Sequence, residues 1–189
     1  MTAIFFAGAE VETLTRALLD NGVKRILYSY WYIYQMRREG FVARMQEEYP
    51  DVEWFLDSGA FTYWAKYKSE PERLIPWKQY KKLYFNYIED TWERWCRIAE
   101  LDLDHMEGVT LDMLADWRDE MVHRWPTAPI CPVWHGGRGP EEWTSYCRDP
   151  RFKHLCIGSG QSDVGLTRRM IMEARQRNKT VHGFGMTRV

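Results

Sequence analysis

An α/β fold built from repeated β-α units is predicted by three features of this 189-residue sequence. Short runs rich in Ile, Val, Phe and Leu recur along the chain, longer stretches of helical periodicity separate them, and the order is β then α throughout. The length suits one hydrophobic core, so a single domain over residues 1–189 is expected. Seven strands in this order predict a TIM-barrel-like (β/α) repeat that is short or incomplete, because a closed eight-stranded barrel takes roughly 250 residues. A doubly wound sheet is the alternative, but the first β-α turn, AGAEVET, lacks the glycine fingerprint of a dinucleotide site.

The expected strands are 3–7, 25–30, 54–57, 98–102, 130–135, 154–158 and 181–185. Helices are expected over 11–21, 34–48, 76–97, 111–124, 140–147 and 164–178. Pro140 followed by Glu141 and Glu142 brings a fixed φ and negative charge into a first turn, and Asp163 stands where it can cap the last helix. The polar segment 62–75, with Lys66, Lys68, Glu70, Pro71 and Glu72, reads as a long loop over the mouth of a site.

A net charge of -1 provides no global field toward nucleic acid. Residues 148–189 nevertheless hold nine Lys and Arg against three Asp and Glu, a surplus suited to phosphates or to a solvated helix face. No apolar run approaches the roughly 20 residues needed to cross a bilayer, and MTAIFFAGAE lacks the pattern of an export leader, so a cytoplasmic protein without membrane contact is expected. Cys96, Cys131, Cys147 and Cys156 form no CxxC pair and read as buried small apolar residues, not zinc ligands. Most of the abundant aromatics, such as Tyr80, Tyr84 and Tyr87, fall on helical spacings and read as packing.

In parallel β-α folds, ligands bind where the carboxyl ends of the strands and their loops converge. Five consecutive strand ends here are polar or glycine-rich: Asp57-Ser58-Gly59-Ala60-Phe61, Glu100-Leu101-Asp102-Leu103-Asp104, Trp134-His135-Gly136-Gly137, Gly158-Ser159-Gly160 and His182-Gly183-Phe184-Gly185. Each alone is compatible with a helix cap or a tight turn. Together they suit a flat ligand, since glycines admit it close to the backbone while carboxylates and amides read its edges. His135 and His182 read either as core histidines or as titratable groups of the site.

The succession LDSGAFTYW, AELDLD, PVWHGG, LCIGSG and VHGFGMT, spanning about residues 50–187, resembles the tRNA-guanine transglycosylase superfamily. The likeness is greatest to its shorter phage and bacterial branch, which inserts 7-deazaguanines into DNA. The resemblance implies a TIM-barrel transferase, in host cytoplasm if phage-encoded, that exchanges guanine in a polynucleotide for a base such as preQ0 without a cofactor. DNA is favoured over tRNA because the cysteine-rich zinc site of the tRNA enzymes has no counterpart here.

It further implies that Asp57 is the acid/base beside the exchanging base, that Ser58 and Gly59 shape its turn, and that Phe61 stacks on the base. Asp102 would read the guanine edge. His135 and Gly136, the loop Gly158, Ser159 and Gly160, and His182 with Gly183 would line the pocket. The family's nucleophilic aspartate follows the strand that reads VHGFGMT, and the sequence ends at Val189 without a match. A fragment of a longer base-exchange enzyme, half of a split enzyme completed by a partner chain or second copy, and a base-binding protein that lost catalysis are therefore alternatives. A third class, a hydrolytic metal held by Asp57, Asp102, His135 and His182, is also open.

Overall fold

Runs that are apolar on both faces form parallel strands, because each strand is covered by side chains from helices outside and from other strands inside. The computed structural model describes residues 4–158 and 163–185. Its strands are β1 (Arg25–Ser29), β2 (Glu53–Asp57), β3 (Arg97–Ala99), β4 (Ile130–Cys131), β5 (Val133–Trp134), β6 (His154–Ile157) and β7 (Thr180–Gly183). The helices are α1 (Glu12–Asp20), α2 (Tyr30–Gln35), α3 (Glu39–Glu48), α4 (Ala60–Ser69), α5 (Trp77–Thr91), α6 (Leu111–Arg124), α7 (Pro140–Arg148) and α8 (Val164–Gln176).

Every ladder is parallel and pairs successive strands, β1 through β4 in one sheet and β5 through β7 in the other. Ahead of β1, the expected first strand reduces to a parallel bridge of Phe6 with Ile26. β4 and β5 are halves of one extended segment, parted at Pro132, whose ring nitrogen has no hydrogen to donate. Buried Glu100 repairs the break: its Oε1 accepts the Val133 N–H at 2.8 Å.

The strand order does not reverse, as a doubly wound sheet requires. Along β1 the side chains alternate, with Ile26 and Tyr28 in the helix-facing core and Leu27 in a second cluster. That inner cluster takes Phe5, Leu27, Phe55, Ala99, Cys131, Val133 and Cys156 from successive strands. The rings of Phe5 and His182, from opposite ends of the strand order, lie 5.8 Å apart. The sheet is therefore curled about this inner cluster, but among the described residues no ladder joins β7 to the Phe6 segment, and the barrel is not closed.

Several expected elements need correction. Segment 62–75 is not a long loop: α4 fills most of it, followed by a 3₁₀ turn Pro71–Arg73. The aromatic rows Phe61–Trp64 and Tyr63–Tyr67 sit at i, i+3 and i, i+4 spacing, Tyr63 stacks on Tyr80 at 4.5 Å, and Lys66 and Lys68 complement the helix C-terminus. The helix expected over 34–48 is two, α2 and α3, separated at Arg37, whose φ of 52° no helix interior accommodates. The helix expected to reach residue 97 ends at Thr91, and β3 stops at Ala99 instead of Asp102. Pro140 does open α7, and Asp163 caps α8 by accepting the Leu166 N–H at 2.9 Å. All four cysteines are free, and Cys131, Cys147 and Cys156 are buried. Among the described residues no helix is long and apolar enough to cross a membrane.

Candidate functional site

The site begins with a turn that only glycine permits. Gly59 has φ of 72°, and a Cβ there would stand 2.6 Å from Trp31 Cβ and 2.9 Å from Ser29 Oγ. The turn aims the Gly59 N–H at Asp57 Oδ2, 3.2 Å away, before the chain enters α4. Two buried tyrosines of α5 fix the adjoining strand ends from behind, Tyr80 donating to Ser58 O and Tyr84 to Ala99 O, each at 2.7 Å.

Ser58 Oγ reaches Asp102 Oδ1 at 3.4 Å, and Asp102 Oδ2 meets His135 Nε2 at 2.6 Å. Gly158 backs the imidazole so closely that a Cβ would lie 2.1 Å from His135 Cε1 and 2.3 Å from Nδ1. The carboxyl ends of β2, β3, β5 and β6 thus bring together Asp57, Ser58, Asp102, His135 and Gly158.

Electrostatics divide the two carboxyls. Burial, reinforced by the charge of Asp102, pushes Asp57 up to about 7, against the opposing pull of the Gly59 N–H and nearby Ser29. The Gly59 N–H is the stronger of these two, because the Ser29 hydroxyl meets no partner at hydrogen-bond geometry. Burial opposes charge on His135, but its bond to Asp102 and the charges of Asp102 and Asp104 outweigh that cost and raise its pKa. Asp57 is therefore poised to exchange a proton near neutrality, while Asp102 and His135 form a charge-assisted pair.

The remaining expected residues are more dispersed. Phe61 projects from the first turn of α4, largely exposed, with its ring 5.8 Å from Trp64. Gly136 opens a 3₁₀ turn after His135, and Gly183 ends β7. His182 joins the inner apolar cluster, 5.0 Å from the Phe55 ring and 4.8 Å from Phe184. Burial and Arg97 lower its pKa to about 4, leaving it neutral. It takes no part in the bonds that link Ser58, Asp102 and His135. Ser159 and Gly160 lie outside the described residues.

Three groups of the site were not singled out from the sequence. Glu10 is buried beside β1, accepts the Ser29 N–H at 2.7 Å and adds negative charge near Asp57. Glu100 receives Arg118 Nε at 2.5 Å, with Arg138 Nη1 3.7 Å away, beneath the β5 strand end. Asp104 and His105 extend the Asp102 segment and, with His135, bring three potential ligand atoms within 4.8 Å of one another. The alternation Asp102-x-Asp104-His105 was the available signal.

Comparison with protein-family models, curated proteins and solved structures returned no match. The chemistry of the site thus rests on its own geometry. It combines a protonatable carboxyl, a second carboxylate braced by an imidazole, and a backbone-lined approach at Gly158. Such a set can donate and accept protons at a polar heterocycle held edge-on to two carboxyl groups.

Proposed function

We propose that the chain provides a purine-base site of the guanine/7-deazaguanine transglycosylase type, on an incomplete TIM-barrel-like scaffold. Sequential parallel strands and the curled inner cluster support the scaffold reading. The observation that carries the functional reading is the division of labour between Asp57, titrating near 7, and Asp102, bonded to His135 on the neighbouring strand end.

In this reading Asp102 accepts from the ring N–H and exocyclic amine of guanine, with His135 and Ser58 fixing its orientation. Asp57 gives a proton to the departing guanine as the glycosidic bond breaks, then takes the N9 proton of the incoming 7-deazaguanine as the new bond forms. A carboxyl near 7 serves both halves because neither protonation state is strongly disfavoured at neutral pH. Phe61 supplies an aromatic face for the base and Gly158 a close backbone approach. As the bond to guanine breaks, the sugar carbon must bond to a nucleophile until the incoming base displaces it; with Asp57 and Asp102 committed to the base, this reading assigns that role to a carboxylate of a partner chain or second copy. DNA is the favoured polynucleotide, and 7-cyano-7-deazaguanine (preQ0) represents the incoming class.

The test is incubation of guanine-containing DNA with labelled 7-cyano-7-deazaguanine and the chain, alone and with candidate partner chains. Incorporation that disappears in Asp57→Asn supports the exchange reading. No incorporation under either condition overturns exchange, and retained guanine binding would then identify a base-binding subunit.

A further inference from the structure

We propose that Asp104, His105 and His135 form a binding site for a divalent transition-metal ion of the zinc class, at the edge of the base site, with which it shares His135. Asp104 is the most buried ligand of the three. Its side chain is only 9% exposed, Arg138 Nη2 approaches Oδ2 at 3.3 Å, and Oδ1 has no hydrogen-bond partner. A buried carboxylate oxygen with unused lone pairs is costly unless something positive meets it.

His105 Nε2 stands 3.6 Å from that Oδ1, too far for a hydrogen bond. It is close to the separation of about 3.4 Å between two ligands of a tetrahedral zinc ion with bonds of about 2.05 Å. His135 Nε2 lies 4.0 Å from Asp104 Oδ2, and all three ligand atoms fit within 4.8 Å. Two imidazoles and one carboxylate are a donor set that favours zinc, cobalt or nickel over magnesium or calcium. Trp64, 5.0 Å from the His105 ring, supports that imidazole from the side. Because His135 Nε2 is also the partner of Asp102, ion uptake draws this nitrogen away from Asp102. The ion and the Asp102–His135 pair therefore compete.

The experiment is titration of the full chain with Zn²⁺ by calorimetry and with Co²⁺ by visible absorption, with guanine binding measured on the same samples. The expected result is one ion per chain and visible bands typical of low-coordinate Co²⁺. His105→Ala, at a largely exposed position, should weaken uptake by about tenfold or more, and Asp104→Asn at least as much. His123→Ala, on the exposed face of α6, should leave uptake unchanged. No uptake, or uptake unaltered by His105→Ala, overturns the site. Guanine binding that persists in either case confines the failure to the metal proposal.

Discussion

At the residue scale, unequal neighbours separate Asp57 from His135. Asp57 has a folded-state pKa above its ordinary 3.8, so the folded protein holds that proton more tightly than the unfolded chain. Asp57 is without penalty below about pH 4, and its cost to stability grows as pH rises from there to about 7, above which it levels off. Asp57→Asn should consequently gain stability relative to the parent at pH 8, on the order of 2–4 kcal/mol, with the difference vanishing near pH 4. Urea denaturation at the two pH values measures it; an equal difference at both would remove the buried-acid argument.

His135 has the opposite sign: its raised pKa contributes stability that is full below about 6.5 and is lost as pH rises through the folded value. In Asp102→Asn, burial is left with less opposition, so the His135 pKa should fall. NMR titration of the ring reads this directly. Gly158→Ala should have a similar effect, since a methyl within 2.3 Å of Nδ1 displaces the ring.

The candidate residues Asp57, Asp102 and His135 were legible because strand-end positions can be counted from apolar runs. The environment of His182 was not. Which face of β7 points into the inner cluster depends on register with β6, where His182 pairs with Cys156, and no local sequence signal specifies that.

At the element scale, the break at Pro132 shows how a local defect is repaired from afar. Glu100 accepts the Val133 N–H and meets Arg118, while Arg138 Nη1 donates to Val133 O at 2.9 Å. Glu100→Ala leaves two buried guanidinium groups without this partner and should cost about 3–5 kcal/mol in chemical denaturation. Glu100→Gln retains an acceptor for Val133 and should cost less; equal losses would show that the backbone bond contributes little. Pro132 could be read as a ladder break, but not its repair by a residue more than thirty positions earlier. The same distance problem hid α4: its polar residues and Pro71 suggest a loop, whereas the stacking of Tyr63 on Tyr80 supplies tertiary support that local propensity does not record.

At the scale of the whole molecule, sequential β-α order was legible because both faces of each strand are buried, making the runs nearly continuous. Closure was not, because it depends on whether the two end segments meet. They approach through side chains, Phe5 against His182 at 5.8 Å, while Phe55 of β2 and the Arg97 guanidinium pack on the same Phe5 ring at 5.5 Å and 4.8 Å. Phe5→Ala should thus cost about 3 kcal/mol or more by opening a cavity where the curled sheet meets itself. Thermal unfolding checks this, and a loss below about 0.5 kcal/mol would show that the contact does not hold the curl.

The curl gives the strand ends a common mouth, and the central claim concerns what that mouth holds. Calorimetric titration of the chain with guanine and with 7-cyano-7-deazaguanine, repeated on Asp102→Asn, tests it most directly. The account predicts binding of both bases by the parent and at least a tenfold loss in the variant, as expected when a partly buried carboxylate reads two N–H donors at about 1.5–3 kcal/mol per charged hydrogen bond. Binding of neither base, or equal binding by parent and variant, would contradict it.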